Sequence, residues 1–269
     1  MQSRPTFYEL VREGEGVPVD GWDFSWFAGR ASEQRPPWAY QRLISARIAA
    51  ATAVLDIDTG GGEVLAGIEL APPLLVATES WQPNIEVARR NLHPLGATVV
   101  KVEPGAALPF ADGRFDLIVS RHPIATRWGE VARLLAPAGT FLAQEVGEGS
   151  VRGLTEFLMG PQPPDDTRST TRAVAAAEAA GLEVVDLQHA SLRMEFHDIA
   201  AVVVFLRKVI WIVPGFTVDR YRARLEHLHR QIEATGTFVA HSTRFLIEAR
   251  KPSYASSAFT AARSSSPPA

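Results

Sequence analysis

The stretch VLDIDTGGGE, residues 54–63, joins the end of a strand to a run of glycines. Its apolar start is typical of a buried strand, and the carboxylates of Asp56 and Asp58 stand where that strand ends. The three consecutive glycines that follow favour a loop whose backbone lies close to a ligand or to another segment. The side chains around this loop therefore decide what it can hold.

Strand-like and helix-like segments alternate on either side of this loop. The predicted strands lie at 53–57, 74–78, 97–102, 115–120, 140–146, 182–187 and 237–249. The predicted helices lie at 40–49, about 63–66, 83–92, 129–135, 171–180, about 197–210 and 218–234, and residues 1 to about 40 are predicted to be irregular. The alternation predicts an α/β fold with a mostly parallel sheet and helices on both faces. Ligands of such sheets bind at the carboxyl ends of the strands, where the glycine run stands.

Two common glycine-rich loops fit this stretch poorly. A P-loop places a Lys after its last Gly to meet phosphate, whereas Glu63 follows Gly62 here. The dinucleotide fingerprint needs a third Gly for close packing of helix on strand, and counting from Gly60 that position holds Leu65. The acids before the glycines would also repel a pyrophosphate. An NAD-dependent oxidoreductase is therefore disfavoured, although it stays open as an alternative.

A ligand without phosphate meets these objections, and S-adenosylmethionine is such a ligand. Its amino-acid end carries an ammonium and its sulfur is cationic, so carboxylates near the loop attract it. A carboxylate at the end of the second strand can hold ribose hydroxyls, and Glu79 stands there in the stretch VATESW. Because the same acid would also serve NAD, Glu79 alone does not separate the two cofactors.

Three motifs together resemble those of the class I S-adenosylmethionine-dependent methyltransferases. LDIDTGGGE at 55–63 resembles motif I, LPFADGRFDLIVS at 108–120 resembles the approach to the fourth strand, and LLAPAGTF at 134–141 resembles the entry to the fifth. The resemblance covers roughly residues 45–250. It implies a Rossmann-like, seven-stranded, mostly parallel sheet in the order 3-2-1-4-5-7-6 with the last strand antiparallel. Asp58 stands where the family usually has Gly, and Ala138 replaces the first Gly of the usual P-G-G.

The resemblance also implies which residues contact the cofactor. They are Asp56, Asp58, Thr59, Gly60, Gly62, Glu79, Ser80, Trp81, Glu103, Ser120 and Arg121. Asp56, Thr59, Gly60 and Gly62 would line the methionine end, where the Asp58 side chain must either point away from the ligand or take over a contact to its ammonium. Glu79 would hold the ribose, with Ser80 and Trp81 near the ribose or adenine. Glu103 would bind the adenine amine, and Ser120 and Arg121 would contribute backbone. Each side chain also has a purely structural interpretation, such as a turn cap for Asp56, a solvated loop acid for Glu79 and core packing for Trp81.

The stretch SRHP, which begins at Ser120, follows the fourth strand, where methyl donor and acceptor should meet. His122 is the candidate catalytic base, since the unperturbed pKa of histidine is about 6.5. Methyl transfer gains mainly from proximity and alignment, so a base matters only if the acceptor still holds its proton. The other six histidines have no convincing ligand spacing, and we predict no metal site.

Composition and the outlying segments complete the prediction. The 269 residues carry a formal net charge of −3 and include no cysteine, which excludes disulfides, cysteine-ligated zinc and a cysteine nucleophile. This charge gives no support to a nucleic-acid partner. With no signal segment and no long apolar run, we expect a cytoplasmic protein without a membrane partner. We divide the chain into an N-terminal aromatic cap (1–45), a methyltransferase core (46–250) with a helical insertion at about 197–234, and a disordered tail (251–269).

Methyl transfer from S-adenosylmethionine to a small molecule is the function that these features favour. The N-terminal cap and late helices contribute candidate lining residues for the acceptor pocket, namely Trp22, Trp26, Phe27, Trp38, Phe205, Trp211 and Phe216. Two alternatives of other kinds stay open: an RNA or protein methyltransferase, and a non-catalytic module that binds the cofactor or a partner without turnover. Neither the acceptor nor the oligomeric state follows from the sequence.

Overall fold

A computed structural model describes residues 5–19 and 22–253 of the chain. The strands are β1 (Ala31–Glu33), β2 (Ala53–Ile57), β3 (Leu74–Glu79), β4 (Thr98–Lys101), β5 (Phe115–Arg121), β6 (Leu135–Val146), β7 (Glu183–Phe196) and β8 (Phe238–Arg250). The helices are α1 (Phe7–Gly16), α2 (Tyr40–Ala49), α3 (Gln82–Leu92), α4 (Trp128–Leu134), α5 (Arg152–Met159), α6 (Thr170–Ala179), α7 (Ile199–Lys208) and α8 (Val218–Thr235). Short 3₁₀ helices lie at Ser25–Phe27, Leu65–Gly67 and His93–Leu95. Most of the predicted tail, residues 254–269, lies outside the described residues.

The eight strands form a single sheet in the order β1-β7-β8-β6-β5-β2-β3-β4. Strands β4, β3, β2, β5 and β6 run parallel, whereas β8 pairs antiparallel with both β6 and β7. The predicted α/β fold and its strand order are therefore confirmed. The predicted number of seven strands is wrong, because β1 adds an antiparallel edge strand beside β7.

Apolar runs place β2 and β5 in the middle of the sheet. Val54 and Leu55 are both fully buried and point to opposite faces, as expected for a parallel strand covered on both sides. One face packs against α4 and α6, and the other against α2 and α3. The Asp116 carboxylate fixes the start of β2 by accepting hydrogen bonds from the backbone N–H groups of Thr52 and Ala53, at 2.9 and 3.0 Å.

The irregular N-terminus predicted from the sequence is wrong, because this region contains α1 and β1. A capping box starts α1, in which the Glu9 carboxylate accepts the Thr6 N–H at 2.7 Å and the Thr6 hydroxyl accepts the Glu9 N–H at 3.3 Å. The buried side of α1 joins α5, α7 and α8 in one apolar core. The N-terminal segment and the late helices therefore share a core. The division at residue 45 stays a prediction, and α2 runs across that residue.

Strand β7 extends far beyond the predicted range 182–187 and ends at Phe196. It pairs with β8 as far as Phe196 opposite Phe238. This long antiparallel pair projects past the parallel strands and carries β1 and the core beneath α7 and α8. Helix α5 was also not predicted. Within the described residues, no helix is long and apolar enough to cross a bilayer.

The contact between α1 and α7 depends on the absence of a side chain at Gly14. A Cβ at this position would lie 3.0 Å from both the Ala200 carbonyl oxygen and the Val203 Cβ. We expect Gly14→Val to lower the free energy of unfolding by about 1–3 kcal/mol, the usual cost of overpacking a core. Urea unfolding measures this change.

Gly16→Val is the matched control, because a Cβ at Gly16 has no other atom within 4 Å. Both variants put a β-branched residue into the last turns of the same helix. Equal losses of stability in the two variants would contradict tight packing of α1 on α7.

Candidate active site

The predicted cofactor residues lie at the carboxyl ends of β2, β3, β4 and β5, along one edge of the sheet. The glycine loop leaves β2 and is tied to the next strand by a hydrogen bond from the Thr59 N–H to the Thr78 carbonyl at 2.9 Å. Gly60 and Gly62 have φ angles of 64° and 77°, in the left-handed region that glycine adopts most easily. Asp58 has a φ of 57°. At this position, where the family usually has Gly, the backbone therefore has a left-handed conformation. Asp tolerates this conformation better than most residues do.

The missing side chains of the glycines make room for the protein itself. A Cβ at Gly62 would lie 2.9 Å from the Leu92 Cγ, and one at Gly61 would lie 2.9 Å from a Val87 methyl carbon. Both neighbours belong to α3, so these two glycines let this helix pack against the loop. Only Gly60 faces away from α3, where a Cβ would lie 3.2 Å from the Trp22 ring. Close packing of α3 and of Trp22 therefore explains much of the glycine run.

Carboxylates crowd the end of β2. Burial raises the pKa of Asp56 to about 7, with further raising by Asp58 and Glu79, although a 2.6 Å hydrogen bond from the Thr59 hydroxyl opposes the shift. Burial and Glu79 also raise the pKa of Asp58, and Arg127 acts against them. Since like charges disfavour one another, this part of the site favours a positively charged ligand.

Glu79 is held in a fixed orientation at the end of β3. One carboxylate oxygen accepts the backbone N–H groups of Ser80 at 2.7 Å and Trp81 at 2.9 Å, and the other accepts the Asn84 amide at 3.4 Å. The acid therefore lies just before the first turn of α3, where the positive end of the helix stabilises it. The side chain of Trp81 is 42% exposed beside it. The structure brings Glu79 to Asp56 and Asp58, as the predicted site requires.

Glu103 stands apart from these acids. It follows β4, its side chain is exposed, and its carboxylate forms an ion pair with Lys101 at 3.1 Å. A role at the adenine amine stays a prediction for this residue.

Two hydrogen bonds lock the ends of the central strands together. The Ser120 hydroxyl donates to the Ile57 carbonyl at 2.8 Å, and the Tyr40 hydroxyl donates to the Ser120 carbonyl at 2.8 Å. Burial raises the pKa of Tyr40 well above its usual value, so this phenol stays protonated and keeps donating. No sequence pattern identified Tyr40 as a site residue, since nothing in a helical pattern shows which of its residues will hold the end of a neighbouring strand.

A chain of side chains fixes the protonation of His122. The Trp38 indole N–H donates to the Gln144 Oε1 at 2.7 Å, and because indole is only a donor, the Gln144 amide nitrogen must face the other way. That nitrogen lies 2.9 Å from the His122 Nε2. Nε2 must then accept, so the proton of the neutral ring is on Nδ1.

The surroundings of His122 keep its ring neutral. Burial lowers the pKa of this histidine well below its usual value, and Arg121, Arg244 and Arg168 lower it further. The backbone is held as well, since the His122 N–H donates to the Gln144 carbonyl at 2.7 Å. With the Nε2 lone pair occupied, this geometry favours His122 as a hydrogen-bond donor through Nδ1. Its assignment as a catalytic base stays a prediction.

Aromatic side chains from two distant segments meet above the glycine loop. Trp22, which packs on Gly60, has its ring centroid 5.8 Å from that of Trp211 and 6.2 Å from that of Phe24. Phe27 and Phe205 are instead buried in the core beneath α1 and α7, so they do not line an open pocket. Trp22, Trp38 and Trp211 are thus the predicted aromatics that reach the edge of the sheet near the site.

A separate cavity of about 360 Å³ lies away from the glycine loop. Its lining includes Arg30, His197, Asp198 and His229 from the N-terminal and late segments. None of the predicted cofactor residues borders it. Among the described residues, no three His, Asp or Glu side chains come together in a way that could hold a metal ion. The absence of a metal site stays a prediction.

Comparison with known proteins agrees with this geometry. Residues 55–143 match the family model described as "Methyltransferase domain". This stretch is therefore similar to a methyltransferase domain. The matched range begins at Leu55 in β2 and ends at Ala143 in β6, so it spans the strands whose carboxyl ends carry the predicted site. The predicted resemblance to S-adenosylmethionine-dependent methyltransferases is thereby confirmed.

Solved structures share the fold of the methyltransferase domain and its additions. A candidate methyltransferase from Bacillus halodurans has a TM-score of 0.56 at 18% identity, over 80% of this chain and 99% of its own. A protein of unknown function from Deinococcus radiodurans has a TM-score of 0.55 at 19% identity, over 91% of this chain and 98% of its own. A candidate sarcosine dimethylglycine methyltransferase from Galdieria sulphuraria has a TM-score of 0.50 at 14% identity, over 80% and 86%. No curated protein matched the chain.

The buried carboxyl of Asp56 makes stability depend on pH. Its pKa of about 7 in the folded protein is above the unfolded value of about 3.9, so folding stability falls as the pH rises from about 4 to 7. Asp56→Asn removes this titration. We expect the variant to be more stable than the wild type by about 2–4 kcal/mol at pH 8, at about 1.4 kcal/mol per pKa unit, and by less at pH 5.

Urea unfolding at the two pH values measures this difference. The control is Asp166→Asn, which removes an exposed carboxylate. A stability gain in Asp56→Asn that is the same at pH 5 and pH 8 would show that its carboxyl has an ordinary pKa.

The hydrogen-bond chain through Gln144 predicts the tautomer of His122. We expect ¹⁵N NMR to find a neutral ring with its proton on Nδ1, unchanged between pH 6 and pH 8, because of the lowered pKa. Gln144→Met removes the amide donor and should shift the ring towards the other tautomer. A proton on Nε2 in the wild type, or a charged ring at pH 7, would contradict this arrangement.

Proposed function

We propose that the protein transfers the methyl group of S-adenosylmethionine to a small-molecule acceptor. The observation that carries this proposal is the set of carboxylates Asp56, Asp58 and Glu79 beside a loop of nearly bare backbone. The methyltransferase domain match over residues 55–143 supports the reaction type. When bound, the cofactor supplies an electrophilic methyl group on a cationic sulfur.

The chain's own residues fit this cofactor in charge and in position. Asp56 and Asp58 lie where the ammonium of the methionine end would meet them, and their raised pKa values favour a cationic neighbour. Glu79 has both oxygens fixed at the start of α3 and follows the second strand of the parallel set, which suits ribose hydroxyls. The glycine loop follows β2 at the same edge of the sheet.

The reaction asks little of the protein beyond alignment. Methyl transfer is a displacement, so holding donor and acceptor in line supplies most of the rate gain. The Tyr40–Ser120–Ile57 hydrogen bonds keep the ends of β2 and β5 rigid, and these two strand ends flank the position of transfer. Trp22 and Trp211 close one side of this edge and would exclude water from it.

A small molecule is favoured over a macromolecule as the acceptor. Trp22 and Trp211 crowd the glycine loop, which leaves a restricted approach to the reacting position. A protein of similar fold from Galdieria sulphuraria carries the name of an enzyme that acts on the small amino acids sarcosine and dimethylglycine. An RNA or protein acceptor remains an alternative. A cytoplasmic location remains a prediction from the sequence.

Calorimetric titration with S-adenosylmethionine, S-adenosylhomocysteine and NAD in parallel tests the cofactor. We expect the first two to bind and NAD not to bind. Because a bound ammonium favours the ionised form of Asp56, the affinity for both should rise as the pH increases from 6 to 8. Binding of NAD alone would overturn the proposal, and cofactor binding without turnover of any acceptor would favour a non-catalytic module.

Glu79→Ala tests the ribose contact. We expect the variant to lose about 1–3 kcal/mol of binding free energy for S-adenosylhomocysteine, since it leaves the ribose hydroxyls unpaired. The control is Glu86→Ala, which removes an exposed acid from α3. Thermal unfolding of both variants separates a binding defect from a loss of stability at the start of α3. Unchanged affinity in a folded Glu79→Ala protein would remove this residue from the site.

A further inference from the structure

Three arginines converge on His122 from different parts of the chain. Arg121 ends β5 and is paired in register with Gln144 of β6, while Arg244 of β8 is paired with Val146, two residues further along β6. Paired residues, and residues two apart on a strand, point to the same face, so Arg121, Gln144 and Arg244 all lie on one face of the sheet. This face is the one that Trp38 and Tyr40 cover.

Arg168 approaches the same place from the segment that joins α5 to α6. Arg152 hydrogen-bonds to the backbone carbonyls of Gln162 and Pro163, which holds this segment against α5. Arg168 lies close enough to His122 and to Arg244 to act on the charge of both. The charges of all three guanidinium groups thus act on a single histidine.

Arg244 is the fixed member of the group. Its guanidinium forms an ion pair with Glu33 at 2.8 Å and donates to the Ser150 hydroxyl at 3.2 Å. Burial lowers its pKa, Glu33 opposes that shift, and the like charges of Arg121 and Arg168 add to the lowering. The position of Arg244 is therefore built into the sheet, and its surroundings are short of negative charge.

Arg121 and Arg168 are the available members. Within residues 5–19 and 22–253, neither guanidinium has a hydrogen bond or an ion pair. Arg121 is exposed and Arg168 is half-buried. Both side chains are thus free to bind a ligand beside the position of methyl transfer.

The acids near these arginines form no ion pair with Arg121 or Arg168 in the described part of the chain. Glu33 is paired with Arg244, and Asp165 is exposed in the same segment as Arg168, whose charge contributes to lowering the pKa of Asp165. Glu145 accepts the Thr126 hydroxyl at 2.6 Å; burial raises its pKa, and Arg168 acts against that shift. His122 is neutral and presents its Nδ1–H, which has no acceptor within the described part of the chain. The site therefore combines two guanidinium groups that have no ion pair among the described residues with an unused donor.

We propose that the methyl acceptor carries an anionic group, a carboxylate or a phosphate, that Arg121 and Arg168 bind beside His122, with Arg244 behind them. Guanidinium groups pair with carboxylate and phosphate in a bidentate geometry, which would orient the acceptor as well as attract it. This inference rests on the proposed function. It adds the chemical class of the acceptor and assigns roles to Arg168 and Arg244, which sequence patterns did not identify.

The cofactor also carries a carboxylate, so the experiment must separate the two anions. We would saturate the protein with S-adenosylhomocysteine, then titrate it by calorimetry with benzoate, with uncharged benzamide and with inorganic phosphate at constant ionic strength. The variants are Arg121→Gln, Arg168→Gln and the double variant. The control is Arg172→Gln, which removes an exposed guanidinium paired with Asp166 from the start of α6.

We expect benzoate or phosphate to bind the saturated protein and benzamide not to bind. Each single variant should weaken anion binding by about tenfold or more, the scale of a charge-assisted hydrogen bond, and Arg172→Gln should leave it unchanged. Anion binding should also move the ¹⁵N signals of His122 in the wild type. Benzoate preferred over phosphate indicates a carboxylate acceptor, and the reverse preference indicates a phosphate.

Several results would overturn the inference. One is the absence of anion binding to a protein that does bind S-adenosylhomocysteine, and another is an equal loss of binding in Arg168→Gln and Arg172→Gln. A loss of S-adenosylhomocysteine affinity in Arg121→Gln and Arg168→Gln without anion binding would assign these arginines to the cofactor's carboxylate. Failure of the wild type to bind S-adenosylhomocysteine would instead reject the proposed function itself.

Discussion

Burial of the Asp56 carboxyl beside two other acids is the constraint around which the site is built. Parallel strands bring their carboxyl ends to one edge, so acids that follow β2 and β3 meet there although 23 positions separate Asp56 from Glu79. A buried carboxylate is unfavourable without a partner, and among the described residues the Thr59 hydroxyl is the one group that donates a hydrogen bond to this one. The negative potential of this arrangement favours binding of a cation and disfavours binding of a phosphate.

The rigidity of this edge comes from α2 and the segment before it. Tyr40 hydrogen-bonds to the end of β5, and Ser120 of that strand hydrogen-bonds to the end of β2. Trp38 sets the orientation of the Gln144 amide on β6. One short stretch thus positions three neighbouring strand ends. Because the Trp38 indole is only a donor, it fixes the orientation of the Gln144 amide. The orientation of that amide in turn decides which nitrogen of His122 carries the proton.

The parallel core could be predicted from the sequence because its signals are local. The buried strands at 53–57 and 115–120 are recognisable in the sequence as apolar runs. Acids and glycines stand at the carboxyl end of the first of these strands. The N-terminal helix α1 was missed although Thr6 and Glu9 form a capping box, because the aromatic and glycine-rich residues after it dominated the interpretation. Strand β7 was cut short although its second half, residues 189–196, alternates regularly between polar and apolar residues, which is a strand pattern.

The arginine group could not be predicted from the sequence, for a different reason. Arg121, Arg168 and Arg244 are separated by 47 and 76 positions, and each alone resembles an ordinary surface charge. Only the register of β5, β6 and β8 shows that two of them share a face. The role of Gly61 and Gly62 in packing could not be predicted for the same reason. The α3 side chains that pack against them, Val87 and Leu92, follow 26 or more positions later.

The two charged groups lie at different strands of one edge, and this separation follows from the strand order. The acids lie at the ends of β2 and β3. Arg121 is the last residue of β5, and Arg244 lies on β8 opposite Val146, the last residue of β6, so both are on the other side of the β2–β5 boundary. Electrostatic attraction would therefore draw a cationic donor to the first half of the edge and an anionic acceptor to the second. The end of β5, where Ser120 is locked to Ile57, lies between the two halves. With a cationic donor and an anionic acceptor bound in this way, the methyl group would pass between them beside this strand end.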